Sequence, residues 1–302
     1  MSDMRESLYT PRMEAHLQMI ENALPSYLPK REGLCARLDE AMSYACSAGG
    51  KRLRPVLTLE FCRVCGGNVQ AAVPFACAVE MVHSYSLVHD DLPCMDDSPL
   101  RRGKPSVHAA FGEDIALLAG DGLLTAAFET MLEPGNRTDI PADTVALAVF
   151  TLACASGCRG MVGGQVIDLQ SEKKMITLTE LEELQRGKTA SLITAACRIG
   201  TLLAGGDDRM LEAAASYGEN IGLCFQIVDD ILDATSTAQA LGKPVQSDEA
   251  HQKNTYVSLL GIEKARDFAR ERTKQATEAL RVFGGQADGL CSLANALLTR
   301  QK

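Results

Sequence analysis

The sequence predicts an all-α protein: a bundle of long, mostly antiparallel helices around a central apolar cavity. Three observations predict it. Ala, Leu, Glu and Arg are plentiful and Trp is absent, a composition that favours helix. Apolar residues recur at three- and four-residue spacing almost throughout, as in Leu34, Leu38, Met42 and Ala45, or Leu181 and Leu184 leading towards Leu192 and Ile193. Sustained period-two alternation of β-branched residues, the strand signature, does not occur.

The elements follow in order from the breaks between them. Gly49-Gly50, Gly66-Gly67-Asn68, Pro99 to Pro105, Glu133-Pro134-Gly135-Asn136, Gly205-Gly206-Asp207-Asp208 and Gly284-Gly285 each end one helical stretch and open the next. The stretches 73–90, 114–131, 144–165 and 210–233 are apolar over most of their circumference, and such helices belong inside a protein. No linker or low-complexity segment divides the 302 residues, so one domain spanning 1–302 is expected.

Bulk numbers narrow the function. The chain has 30 basic and 39 acidic residues, net charge −9, with no basic tail or Lys/Arg block. Nucleic acid is therefore not an expected partner, and any anionic substrate must be held by a few placed cations or metal ions. No unbroken run of 18 apolar residues occurs, and no membrane insertion is expected. The eleven cysteines are scattered singly through apolar stretches and the N-terminus shows no apolar signal region, so a reducing, cytoplasmic setting is expected. Cys62 and Cys65 form a CxxC, but a second ligand pair at zinc spacing is missing, and they read as structural.

Chemistry concentrates in two aspartate clusters, Asp90-Asp91 with Asp96, and Asp229-Asp230 with Asp233. Each ends a long apolar segment. Adjacent ionised carboxylates repel and lose hydration at a buried edge, so the arrangement asks for a cation. Mg²⁺ fits, because it is held by one or two carboxylates plus waters and substrate phosphates. Asp229 and Asp233, four apart, share a helix face, with Asp230 rotated off it by about 100°. Asp90 and Asp96, six apart, would diverge by roughly 120° on an unbroken helix. Pro93 between them breaks the helix and lets Asp96 reach back from an irregular segment. Basic segments GGKRLRP (49–55) and LRRGKP (100–105) supply Arg forks and Lys point charges for diphosphate.

Together these segments resemble the trans-prenyltransferase (polyprenyl diphosphate synthase) family, closely its bacterial farnesyl diphosphate synthases, over about residues 30–275. The motifs are GGKRLRP, DDLPCMDD…LRRGKP (90–105), GGQVIDL (163–169), GKTASL (187–192), FQIVDDILD (225–233) and GK…D…KNTY (242–256). The resemblance implies the isoprenoid synthase fold, a homodimer, and up to three Mg²⁺ ions, with Mn²⁺ as a substitute. Asp90, Asp91, Asp96, Asp229 and Asp233 would hold metal, with Asp230 completing the second cluster. Arg101, Lys188 and Lys243 would contact the allylic diphosphate, and Lys51, Arg54, His83 and Arg102 would bind isopentenyl diphosphate. Thr189 and Gln226 would lie near the ionising carbon, and Gln165 and Asp168 would line the site. Lys253, Thr255 and Tyr256 belong to a closing C-terminal segment. Ser98-Pro99 departs from the longer acidic run common in the family, which bears on how the loop to Arg101 is held.

The implied reaction is ionisation, condensation and elimination, in which isopentenyl diphosphate is added to dimethylallyl and geranyl diphosphate to give farnesyl diphosphate. Tyr85, five positions before Asp90 and about 7.5 Å along the axis, would be the floor that stops growth, with small Ser86 beside it. Geranylgeranyl diphosphate synthesis is the alternative. A terpene cyclase would carry a different second metal motif, and a non-catalytic subunit tends to lose its Asp clusters.

Overall fold

The computed structural model describes residues 8–136, 139–172, 174–235 and 254–300. These residues form the all-α bundle expected from the sequence. Helices α1 (Pro11–Tyr27), α2 (Ala36–Ser47), α3 (Leu53–Val64) and α4 (Val69–Asp90) open the chain. A short hairpin, Leu100–Arg101 paired antiparallel with Lys104–Pro105, follows. Next come α5 (Val107–Phe111), α6 (Glu113–Leu132), α7 (Ala142–Ser156), α8 (Met161–Ser171), α9 (Leu178–Gln185), a π-turn (Arg186–Ala190), α10 (Ser191–Leu203) and α11 (Asp208–Thr235). The chain closes with α12 (Tyr256–Leu260), α13 (Ile262–Ala279), a 3₁₀ stretch and α14 (Asp288–Thr299).

Helix starts are written in the sequence. Thr10 caps α1 ahead of Pro11, the Asn68 side chain accepts from the amides of Gln70 and Ala71 at the start of α4, and Thr177 with Glu180 forms a capping box on α9. Helix α4 is buried nearly all round; Phe75, Ala76, Cys77, Ala78, Val79 and Met81 are fully covered. It packs against α3 and α6, while α10 lies between α3, α7 and α11, and α11 against α13. A buried cluster of Glu60 with His16 (3.0 Å) and Arg63 (2.9 Å) ties α1 to α3.

Three expectations need correction. The continuous helix over 144–165 is two helices, because Gly157 and Gly160 break it. A β-carbon at Gly160 would lie 2.1 Å from the Ala155 carbonyl oxygen, so the chain can turn there only without one. Leu34, read as part of a helical stripe, sits in a 3₁₀ turn before α2 and is fully exposed. Finally, three helical stretches, over 69–90, 113–132 and 142–171 (the last covering both α7 and α8), are long and apolar enough by length and composition to cross a membrane. An isolated Glu80 or Asp121 interrupts an apolar run without lowering its mean hydropathy much. For the first helix the reason is packing: most of its apolar window is buried within the protein. The other two turn apolar side chains outward, including Leu117, Leu118, Leu147 and Phe150.

Candidate active site

The first cluster forms where α4 stops. Asp91 caps the helix, and the amide of Asp96 turns back to the Asp90 carbonyl at 2.9 Å. Met95 and Asp97 both donate to the Leu92 carbonyl. Pro93 thus ends the helix and the loop returns, bringing Asp96 towards Asp90 as the spacing requires. Burial is the first cause that pushes the Asp90 carboxyl up to about 6; neighbouring Asp96 and Asp91 add to it, while Lys188 and Arg101 oppose it. Asp91 is 2% exposed, and Arg101 grips it through Nε at 3.1 Å to each carboxylate oxygen and through a second, shorter contact from Nη2.

The hairpin explains why two adjacent arginines do different things. Its turn is Arg102-Gly103, both at positive φ (54° and 76°), the geometry that joins two short strands without splaying them. Arg101 then faces Asp91, while Arg102 reaches the Gly49 carbonyl. Gly50 is the seat for Arg102, since a β-carbon there would lie 2.3 Å from its guanidinium.

In the segment 49–55 the three cations also separate. Arg52, at φ 51°, is buried and bonded to Glu80 (2.6 Å), Glu21 (3.1 Å) and the Cys46 carbonyl (2.5 Å), a structural role. Lys51 and Arg54 are set apart from it by their surroundings. Burial lowers Lys51 to about 8, with repulsion from Arg300 and Arg102 and attraction from Asp229. Burial likewise brings Arg54 down to about 10, and its buried Nε finds no hydrogen-bond partner among the described residues. His83 is held well below its ordinary value, first by burial and then by Arg54 and Arg102, so it is a neutral imidazole among cations. The four expected isopentenyl diphosphate residues, Lys51, Arg54, His83 and Arg102, therefore feel one another.

The second cluster sits on α11. Asp230, rotated off the Asp229 face, points inwards: its carboxylate accepts from Gln226 Nε2 at 2.9 Å and from the Tyr256 amide at 2.8 Å. Asp230 therefore anchors the C-terminal segment to α11. Asp233 is buried and Asp229 half-exposed. Thr189 Oγ1 lies 3.4 Å from Gln226 Oε1, so the pair expected near the ionising carbon does converge. The chain from Arg186 to Ala190, through Gly187, is a π-turn, a feature that often marks functional sites. It fits because Gly164 is bare; a β-carbon there would meet the Lys188 amide at 2.1 Å. Lys188 pairs with Asp168 at 2.5 Å, and Gln165 is half-buried on the same helix, α8. Lys243 and Lys253 lie outside the described residues. Thr255 caps α12, Tyr256 is fully buried, and Asn254 ties the segment to the carbonyls of Ser171 and Lys174.

One participant carried no sequence signal. Arg300, after α14, donates to Asp229 at 2.6 Å and to the Phe225 carbonyl at 3.0 Å, and stacks over the Phe225 ring at 4.2 Å. Lys51 lies over the same ring. Carboxylates and cations of the site are paired with one another: Arg101 sits on Asp91, Lys188 on Asp168 and Arg300 on Asp229. Among the described residues no three His, Cys, Asp or Glu side chains form a protein-only metal cage. The donors still fit Mg²⁺, which takes few carboxylates and completes its shell with water and phosphate, and the raised Asp90 carboxyl marks where added positive charge is wanted.

Two acidic clusters with cations gathered among them, in an all-α bundle, define a prenyl diphosphate synthase. The chain belongs to the polyprenyl synthetase family, which matches residues 35–283. It is 43% identical to the heterodimeric geranylgeranyl pyrophosphate synthase large subunit 1, chloroplastic, of Arabidopsis thaliana, across 94% of this chain and 77% of that one. It is 42% identical to the farnesyl diphosphate synthase of Geobacillus stearothermophilus, across 92% and 94%. The structure of the Helicobacter pylori geranyltransferase complexed with magnesium and isoprenyl diphosphate superposes with TM-score 0.82 at 32% identity, covering 97% and 98%. This chain is accordingly a prenyltransferase of isoprenoid biosynthesis acting on isoprenyl diphosphates.

Proposed function

We propose that the product is farnesyl diphosphate, made by adding isopentenyl diphosphate to dimethylallyl and then geranyl diphosphate. The observation that carries this reading is Tyr85, a buried aromatic on α4 one and a half turns before Asp90, where it serves as the floor beneath the growing chain. Bound among Asp90, Asp91, Asp96, Asp229 and Asp233, Mg²⁺ supplies the positive charge that stabilises departing diphosphate. Arg101 and Lys188, released from Asp91 and Asp168, orient the allylic diphosphate. Lys51, Arg54, Arg102 and neutral His83 hold isopentenyl diphosphate so that its double bond faces the ionising carbon. Thr189 and Gln226 turn oxygens towards the positive charge that develops there. The elimination proton passes to released diphosphate. The apolar helices and the segment anchored by Tyr256 and Asn254 keep out water, which would quench the cation.

Geranylgeranyl diphosphate is the second reading, favoured by Ser86, small and half-buried beside Tyr85, and by the name of the Arabidopsis relative. The whole chain acts as one domain. It pairs as a homodimer through the outward apolar side chains of α6, α7 and α8. A cytoplasmic setting is supported by the eleven unpaired thiols. The test is a product assay with isopentenyl diphosphate and each of dimethylallyl, geranyl and farnesyl diphosphate, with and without Mg²⁺. Chromatography is expected to show a C15 product from the first two primers, none from farnesyl diphosphate, and no turnover without the metal. A C20 product from farnesyl diphosphate supports the second reading.

A further inference from the structure

Tyr85 is not a free-standing side chain. Its ring meets the His89 imidazole edge-on, one helical turn later on α4, with centroids 5.7 Å apart and planes at 81°, the arrangement that aromatic pairs prefer. His89 is itself fixed from the neighbouring helix. Its Nε2 lies 2.9 Å from the Leu117 carbonyl oxygen, and since a carbonyl only accepts, that nitrogen carries the proton. The same nitrogen stands 4.0 Å from an Asp121 carboxylate oxygen. Below the ring lies Gly120: a β-carbon there would sit 2.0 Å from Nε2 and 2.3 Å from the adjacent ring carbon. The imidazole therefore occupies a seat on α6 that exists only because residue 120 has no side chain.

We infer that His89 is a positioning residue for product length: seated on Gly120 and bonded to α6, it buttresses the Tyr85 ring, so the Tyr85–His89 pair sets the depth open to the growing chain. The inference rests on Tyr85 being the floor. Its physical basis is a contest. Burying another isoprene unit is favourable, and an unsupported tyrosine can leave its rotamer well to make room. A ring backed by a second ring, itself pinned to another helix, has nowhere to turn. His89 acts on chain length through Tyr85 and takes no part in holding metal or diphosphate.

The experiment compares Tyr85→Ala, His89→Ala, His89→Phe and Gly120→Ala in the full chain, with isopentenyl and dimethylallyl diphosphate. It measures product chain length, KM for isopentenyl diphosphate, and thermal melting. His89→Ala, which removes the buttress, and Gly120→Ala, which displaces it, are both expected to raise the ratio of longer products to C15 by at least about tenfold, the scale at which pocket shape discriminates one added apolar group. KM is expected to stay close to the parent value. His89→Phe, which restores an aromatic edge against Tyr85, is expected to return the profile towards C15. A purely structural role for His89 would lower melting temperature or rate without changing the product ratio. If Tyr85→Ala lengthens products while His89→Ala and Gly120→Ala keep C15, the buttress is overturned and the floor stands. If Tyr85→Ala also leaves the profile unchanged, the floor reading fails first. Should Gly120→Ala not fold, the two His89 variants decide alone; should His89→Ala lose turnover, Gly120→Ala decides.

Discussion

At the scale of single residues, the site is governed by what each cation of one short run faces. In the run Lys51-Arg52-Leu53-Arg54, Arg52 is bonded to Glu80 and Glu21 inside the protein, whereas Lys51 lies over the Phe225 ring and Arg54 is buried near Arg102. Burial first, and then the charges of Arg300 and Arg102, bring Lys51 down to about 8. The sign follows directly. A cation with a lowered pKa loses its charge as pH rises through that value, so its attraction for diphosphate fades on the alkaline side. The kcat/KM profile for isopentenyl diphosphate, which reports groups of the free enzyme, is expected to fall above about pH 8. Lys51→Arg should move that limb upward, and Lys51→Ala should raise KM by roughly 10- to 150-fold, from about 1.5–3 kcal/mol for a charged hydrogen bond. A limb that stays in place in Lys51→Arg assigns it to another group.

At the scale of elements, the decisive contact is between α8 and the π-turn. Gly164 lets the backbone of Lys188 approach within van der Waals range, and the wider turn carries Lys188 and Thr189 towards Asp168 and Gln226. Gly164→Ala forces these backbones apart. It is expected to cost about 1–3 kcal/mol of stability as an overpacked contact and to reduce kcat by more than it raises KM for isopentenyl diphosphate, whose cations lie on other elements. Chemical denaturation and steady-state kinetics check both parts, and equal damage to both substrates would argue against the element-level reading. The sequence marks this region with Gly187 beside the Lys188-Thr189 pair, since a glycine weakens a helix. It did not announce a π-turn, because the approach of α8 that permits one is a contact between segments some twenty residues apart.

At the scale of the whole molecule, Leu117, Leu118, Leu147, Phe150, Val162 and Val166 are exposed on α6, α7 and α8, and apolar side chains gathered at a surface mark interaction sites. The wild-type chain is expected to run in light scattering at twice its 32.4 kDa mass. Phe150→Glu, which places a charge among them, should run as a monomer while keeping its helical circular dichroism. A wild-type monomer removes the dimer from the proposal.

How much was legible differs with the kind of information involved. Helix content, the breaks, the two carboxylate clusters and the need for a chain reversal at Pro93 follow from local chemistry: propensity, turn residues and the fixed geometry of 3.6 residues per turn. The sequence by itself therefore determined an all-α diphosphate-handling protein and most of the residues that meet in its site. Only the tertiary structure decided which arginine of 52 and 54 is structural, that Arg300 rests on Asp229, that Asp230 anchors Tyr256, and that His89 seats on Gly120. Each of these depends on a partner far along the chain or on the absence of one β-carbon across a helix interface. Those are properties of close packing between elements, where a single side chain's space is fixed by its neighbours, and no spacing within one segment encodes them.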